Sequence, residues 1–366
     1  MILRESSRMR QWSIFCPLIA TVLLFCGVSG AWAQETPSPI ATVVPPLEVA
    51  VVDLPPVVEG TVEVAPSLAD SGYWFVSTDH SPQSFHHSCP RFCPCVLRYE
   101  ECVGFRRSSI VELCAGLEPG VPVCIMVHGS FVDTASAKRE SACTWKWLRR
   151  GSMGHKMQMI YLSWPSYSPL GPLVQLEVNK LGRQAGRNGY YLAELTQHVP
   201  PECPICLLGH SHGTRVISSA LHLLAGGTVQ GVRHPFARAE GRHIRTVFTA
   251  SAIDHDWLNP TGRYGRALCS TQCLLNLKNM RDPALRFYAC RLPLISKRPL
   301  GQTGLTSRDR HHLGGWGRRV NDYDVTGIIG AAHLWPYYFT KPSLACVLHN
   351  YVYFPDRTTP LQASLN

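Results

Sequence analysis

The sequence predicts an α/β fold, a mostly parallel sheet with helices packed on both faces. Three observations lead there. Gly120-Val-Pro-Val-Cys-Ile-Met-Val127 is a continuous apolar run, the pattern of a strand buried on both sides. From about residue 121 onward, strand-like and helix-like patterns alternate three times, which parallel strands joined by crossover helices require. The third observation is the stretch 204–217. Ile205 to Leu208 are apolar and run into Gly209-His210-Ser211-His212-Gly213. A helical pattern follows, with Val216, Ile217, Ala220, Leu221 and Leu224 on one face and Gly226-Gly227 as the stop.

Taken in order, the chain opens on a targeting segment. Arg4, Arg8 and Arg10 precede an apolar stretch from Trp12 to Val28, and Ala31-Trp32-Ala33 has the small-residue spacing of a cleavage site. Residues 1–33 therefore read as a signal peptide and Gln34 as the first residue after it. Pro17 interrupts the apolar run, which is short for an uncleaved span. No later segment is long and apolar enough to cross a bilayer. Residues 34–70 are rich in Pro, Val, Ala and Glu without a period, the composition of an extended disordered tether.

The globular part is expected over 71–366. Residues 72–78 read as its first strand and 96–103 as its second. Between them, His86-His87-Ser-Cys89-Pro-Arg-Phe-Cys93-Pro-Cys95 is dense in His and Cys. Its spacing matches no standard zinc finger, and in an exported chain a disulfide-stapled loop is the favoured reading over a metal site. Residues 120–127 are the buried strand and 134–150 a helix. Residues 155–164 form a strand closed by Pro165. A helix over 173–198 places Leu176, Leu181, Tyr191, Leu192 and Leu195 on its apolar side. Residues 226–242 form a basic connection. Strands follow at 243–250 and 273–279, and 290–320 is a long loop. The last strand spans 320–325, with a terminal helix from Tyr337 onward. No internal repeat is visible.

The chain has 366 residues, 45% of them hydrophobic, ample for a large core. The formal charge is +10, of which Arg4, Arg8, Arg10 and Glu5 in the leader contribute +2. The remainder favours anionic partners such as an envelope surface or an acidic ligand. The basic residues are scattered and match no helix-turn-helix or zinc-finger pattern, so nucleic acid is not an expected partner. Of 15 cysteines, Cys16 and Cys26 lie in the leader, which leaves an odd number for disulfides.

Chemistry concentrates around 211. A G-x-S-x-G pattern between a strand and a helix lifts the serine hydroxyl clear of the sheet on a strained turn. It also puts the His212 N–H at a helix N-terminus, where partial positive charge can hold an oxyanion. The buried strand 120–127 ends in His128-Gly129-Ser130-Phe131, and the N–H of Ser130 or Phe131 is the expected second donor. A serine needs a histidine base and a carboxylate to orient it, here in the chain order Ser, acid, His. Asp282, just past a strand end, is the favoured acid, with Asp254 and Asp256 as alternatives. His333 follows the last strand and is the favoured base. His311 and His312 lie in a polar loop and His349 in the terminal helix. His210 and His212 are expected to shape the pocket, with His128 behind it.

These residues carry a family resemblance. Val127-His128-Gly129, Gly209 to Gly213 with Thr214-Arg215-Val216, Asn279 to Leu285 around Asp282, and Asp324 through His333 resemble the α/β-hydrolase superfamily, especially its bacterial lipase/esterase-like members. The resemblance covers about residues 121–350. It implies a doubly wound sheet of about eight strands and a Ser211–His333–Asp282 triad acting on carboxylic esters or thioesters, lipid-like ones among them, without a cofactor or metal. A peptide or amide hydrolase with the same triad, and a non-catalytic envelope binding protein on the same fold, are the alternatives. The Cys-rich segment and the 290–320 loop depart from the family's compact pattern.

Overall fold

Alternate residues of the segment 123–127 point to opposite faces of a sheet, and both faces are dry. Val123, Ile125 and Val127 belong to one apolar layer and Cys124 and Met126 to the other. This is why the run shows no polar alternation: neither side of the strand meets water. The computed structural model describes residues 71–84, 90–168, 174–235, 241–288 and 297–357. The expected leader 1–33, the tether 34–70, and His86, His87 and Cys89 of the His/Cys cluster lie outside them.

The strands are β1 (Gly72–Ser77), β2 (Cys95–Glu100), β3 (Gly104–Ser108), β4 (Val123–Val127), β5 (Gln158–Ser163), β6 (Ile205–His210), β7 (Thr228–Val229), β8 (Val232–Arg233), β9 (Ile244–Thr249), β10 (Cys273–Lys278) and β11 (Val320–Asp324). Nine of them make one sheet in the order β11-β10-β9-β6-β4-β5-β1-β2-β3, and β7 and β8 form a separate small hairpin. Seven strands, from β11 to β1 in that order, pair in parallel, and only the β1–β2 and β2–β3 pairs are antiparallel. The fold is therefore α/β with a large, mostly parallel sheet flanked by helices.

Among the described residues the α-helices are α1 (Ile110–Ala115), α2 (Thr134–Arg150), α3 (Val174–His198), α4 (His212–Leu224), α5 (Pro283–Tyr288), α6 (Leu300–Thr303), α7 (Ser307–Leu313), α8 (Thr326–Ile329), α9 (Pro336–Phe339) and α10 (Pro342–Val352). Side chains of α3 and α4 pack in the layer of Ile125, and those of α2, α9 and α10 in the layer of Met126. The start of α2 is set by Asp133, whose carboxylate accepts the Ser136 N–H at 2.6 Å, while Arg149 and Arg150 in its last turn complement the helix dipole. Among the described residues no helix is long and apolar enough to cross a membrane.

The structure corrects the expected layout in three places. The strand read over 96–103 ends at Glu100, and a hairpin turn leads on to a further strand, β3, which brings the sheet to nine strands. Cys102 and Gly104 take positive φ at its turn, and β3 returns along the sheet edge. Its exposed Arg106 and Arg107 hid it from a hydrophobic pattern, and such charges suit an edge strand. The second correction concerns the 290–320 loop. Of this, residues 297–319 carry α6, α7 and a 3₁₀ turn, with α7 started by a capping box between Thr306 and Asp309. The third concerns disulfides. All eleven cysteines among the described residues are free thiols, including Cys93 and Cys95 of the segment expected to be stapled. Cys124 and Cys206 sit in register on β4 and β6 and pack in an apolar layer, where a thiol behaves as a small hydrophobe. Burial pushes the Cys206 thiol up.

Candidate active site

The site forms where the parallel strands end. β6 closes at His210, and the chain reverses through Ser211 into α4. Ser211 adopts φ 52°, ψ −123°, a conformation that a residue with a side chain rarely takes. Backbone contacts hold it there: its N–H donates to the Thr249 carbonyl of the neighbouring strand (3.0 Å), and its carbonyl accepts the Thr214 hydroxyl (2.6 Å) and the N–H groups of Thr214 (3.1 Å) and Ala252 (3.4 Å). The flanking glycines are steric requirements. A Cβ at Gly209 would stand 2.7 Å from Ile217 Cδ1, and one at Gly213 would stand 2.7 Å from the His128 carbonyl oxygen. Either would push the helix off the strand ends.

The loop after β11 and α8 returns His333 to this point. Its Nε2 lies 3.0 Å from Ser211 Oγ, and its Nδ1 lies 2.8 Å from Asp282 Oδ2. Asp282 follows β10 and is fully buried, and its Oδ1 accepts the Leu285 N–H at the start of α5 (3.0 Å). The tautomer follows from the partners. A carboxylate only accepts, so Nδ1 carries the proton, and the lone pair on Nε2 faces the serine hydroxyl. Three residues 51 and 122 positions apart along the chain thus form one hydrogen-bonded series.

Two further histidines near the site are neutral. His210 is pushed down to about 3, first by burial and then by the neighbouring charge of His333. Its Nε2 donates to the His333 carbonyl at 2.7 Å. His128 is pushed down to about 4 by burial. Its Nε2 accepts the Trp164 N–H (3.2 Å), so its Nδ1 carries the proton and donates to the Gly129 carbonyl (2.8 Å). It lies behind the site and shapes the loop after β4.

Of the two candidate donors on that loop, the Phe131 N–H is already engaged, donating to the Ser166 carbonyl at 2.8 Å. That corrects the expectation for Phe131 and leaves the Ser130 N–H. The Ser130 hydroxyl meets His212 Nδ1 at 2.6 Å, which ties this loop to the first residue of α4. The N–H of His212 itself belongs to the first turn of the helix, where no intrahelical carbonyl can accept it.

The other candidates are occupied elsewhere. Asp254 accepts the Tyr288 hydroxyl at 2.9 Å, and Asp256 pairs with Lys297. His349 is buried and binds the Gly151 carbonyl (2.9 Å), and His311 and His312 are exposed on the last turn of α7. Among the described residues no group of three His, Cys, Asp or Glu side chains is arranged to hold a metal ion.

Sequence reasoning missed one residue that organises the site. Asn279 is fully buried just after β10, and its Nδ2 donates to the carbonyls of Gly330 (2.9 Å) and Ala332 (3.2 Å) while its Oδ1 accepts the Arg281 N–H (3.0 Å). The signal for it was an amide immediately after the strand, three residues before the candidate acid Asp282.

No family model and no curated protein matches the sequence. Among solved structures, a cutinase-like protein from a Cryptococcus species is similar in part, at 12% identity and a TM-score of 0.28, covering 65% of this chain and 94% of that one. A likeness at that score says nothing about chemistry.

Proposed function

We propose that the protein is an exported serine hydrolase that cleaves carboxylic esters or thioesters through an acyl-enzyme. One observation carries this reading: the hydrogen-bonded series Ser211 Oγ, His333 Nε2, His333 Nδ1, Asp282 Oδ2, with spacings of 3.0 and 2.8 Å, on a strained serine. Ser211 Oγ attacks the acyl carbon as its proton passes to His333 Nε2. The carbonyl oxygen becomes an oxyanion facing the N–H groups of Ser130 and His212. The imidazolium, held by Asp282, then gives its proton to the departing alcohol or thiol. Water enters with His333 as base and releases the acid. Each oxyanion donor in such a site contributes about 3–4 kcal/mol to the barrier reduction. The residues supply nucleophile, base, acid and oxyanion donors, and the steps need no bound cofactor.

The rim supports an apolar acyl group. Phe131, Tyr167, Met280, Leu334 and Tyr337 are exposed large apolar side chains. In the chain Phe131 adjoins Ser130, Leu334 adjoins His333, and Met280 lies two residues before Asp282. Export rests on the basic, apolar and Ala-Trp-Ala features of residues 1–33.

The test is turnover of p-nitrophenyl butyrate, together with labelling by a fluorophosphonate probe. Wild type should turn over and be labelled at Ser211, and Ser211→Ala should do neither while keeping its circular dichroism spectrum. An alanine variant as fast as wild type ends the proposal.

A further inference from the structure

The base of a triad sits on a loop, and a loop must be held if its imidazole is to stay within bonding distance of two partners at once. Here two buried side chains grip the backbone of that loop, one from the turn that bears the acid and one from the turn that bears the nucleophile. Asn279 holds it from the acid's side. Its amide spans the Gly330 and Ala332 carbonyls of the base-bearing loop and the Arg281 N–H of the acid-bearing turn. One side chain therefore fixes both ends of the Asp282–His333 contact. His210 holds the loop from the nucleophile's side. It is the residue before Ser211, its ring lies 5.3 Å from that of His333, and its Nε2 donates to the His333 carbonyl at 2.7 Å.

We propose that His210 and Asn279 are positioning residues that fix the His333 imidazole between Ser211 and Asp282, His210 by donating to the backbone of the base itself. The inference rests on the serine-hydrolase reading above. Neither residue touches a reacting atom. The neutral state of His210 suits the role: a second imidazolium beside His333 would disfavour the charge that His333 must take up during the reaction. The ring is also locked by packing. Trp335 and Tyr338 lie with their ring centroids 5.7 and 5.9 Å from that of His210, so the donor has little freedom to turn away.

The experiment compares His210→Phe with His210→Gln. Phenylalanine keeps the flat ring and loses the donor, whereas glutamine places an amide N–H near the position of Nε2. His210→Phe should lower kcat on p-nitrophenyl butyrate by about 10- to 100-fold with KM within about twofold, the size of loss expected when a catalytic group is displaced by up to an ångström. His210→Gln should recover at least half of that loss on a logarithmic scale. The pH midpoint of kcat/KM, which reports His333, should fall in His210→Phe as its contact with Asp282 loosens, and should return in His210→Gln. Asn279→Ala, checked for fold by its near-ultraviolet spectrum, should shift the same midpoint the same way. The positioning role is overturned if the Phe and Gln variants match each other in kcat and both keep the wild-type midpoint, or if both lose activity equally. A wild type that neither turns over esters nor reacts with a fluorophosphonate overturns the hydrolase reading instead, so the two failures are distinct.

Discussion

A Cβ on Gly213 would stand 2.2 Å from the carbonyl oxygen of Val127, so the first turn of α4 rests directly on the end of β4. This close approach brings the helix that follows the serine up to the loop that bears Ser130. Because the obstructing atom is backbone, it cannot rotate away.

Gly213→Ala should therefore destabilise the fold by about 1–3 kcal/mol, as overpacking a tight contact does. A urea titration would show the midpoint falling with the slope unchanged. Ester turnover should fall by more than the loss of folded protein explains, because the displacement moves Ser211 and the His212 N–H together. A variant with wild-type stability and turnover would show that the contact is looser than its geometry.

Asp282→Asn keeps the shape of the acid and takes away its charge. The amide can present its N–H to His333 Nδ1, which favours the tautomer with the proton on Nε2, pointing at the serine. kcat should fall by about 1,000- to 10,000-fold, while the melting temperature changes little. Asp254→Asn should leave kcat within about threefold of wild type, since Asp254 binds the Tyr288 hydroxyl and not His333, and the asparagine oxygen can still accept that bond. The reverse outcome for the two variants would move the acid to Asp254.

Glu140 on α2 gives a pH dependence that is independent of the site. Burial pushes its carboxyl from 4.5 up to about 7, against the lowering effect of the Tyr161 hydroxyl 3.4 Å away. The folded chain thus holds this proton more tightly than the unfolded chain. The stabilisation is fully present below pH 4.5 and is lost as pH rises through 7. Glu140→Gln removes the titration and keeps a hydrogen-bonding side chain. Relative to the variant, wild type should lose up to about 3 kcal/mol of stability between pH 4.5 and pH 8, at about 1.4 kcal/mol per pK unit. Denaturant melts of both proteins at pH 5 and pH 8 measure it. Parallel behaviour of the two proteins would mean that Glu140 is solvated.

Much of the layout was legible in the sequence. The helix read over 134–150 is α2 to the residue, because Asp133 caps it, Gly151 ends it and its apolar residues repeat at helical spacing. Strands buried on both faces were legible because a dry environment leaves no polar residue in them. β3 was not legible, since an edge strand facing water needs no apolar pattern, and α6 and α7 were hidden in a segment whose charges mask short helices. In the site, the turn at Ser211 was marked by glycines that local sterics demand. The engagement of Phe131 was not, because its N–H meets a carbonyl 35 residues away.

By itself the sequence determined which segments become strands and helices and where the strained serine sits, since propensity, periodicity and glycine sterics act over a few residues. Only the tertiary structure decided which carboxylate faces His333, that the Phe131 N–H is taken by the Ser166 carbonyl, and that Asn279 and His210 grip the same loop. Those outcomes depend on strand order and on distances between residues far apart in the chain, and hydrogen bonding reaches only about 3 Å, so no local pattern can encode them.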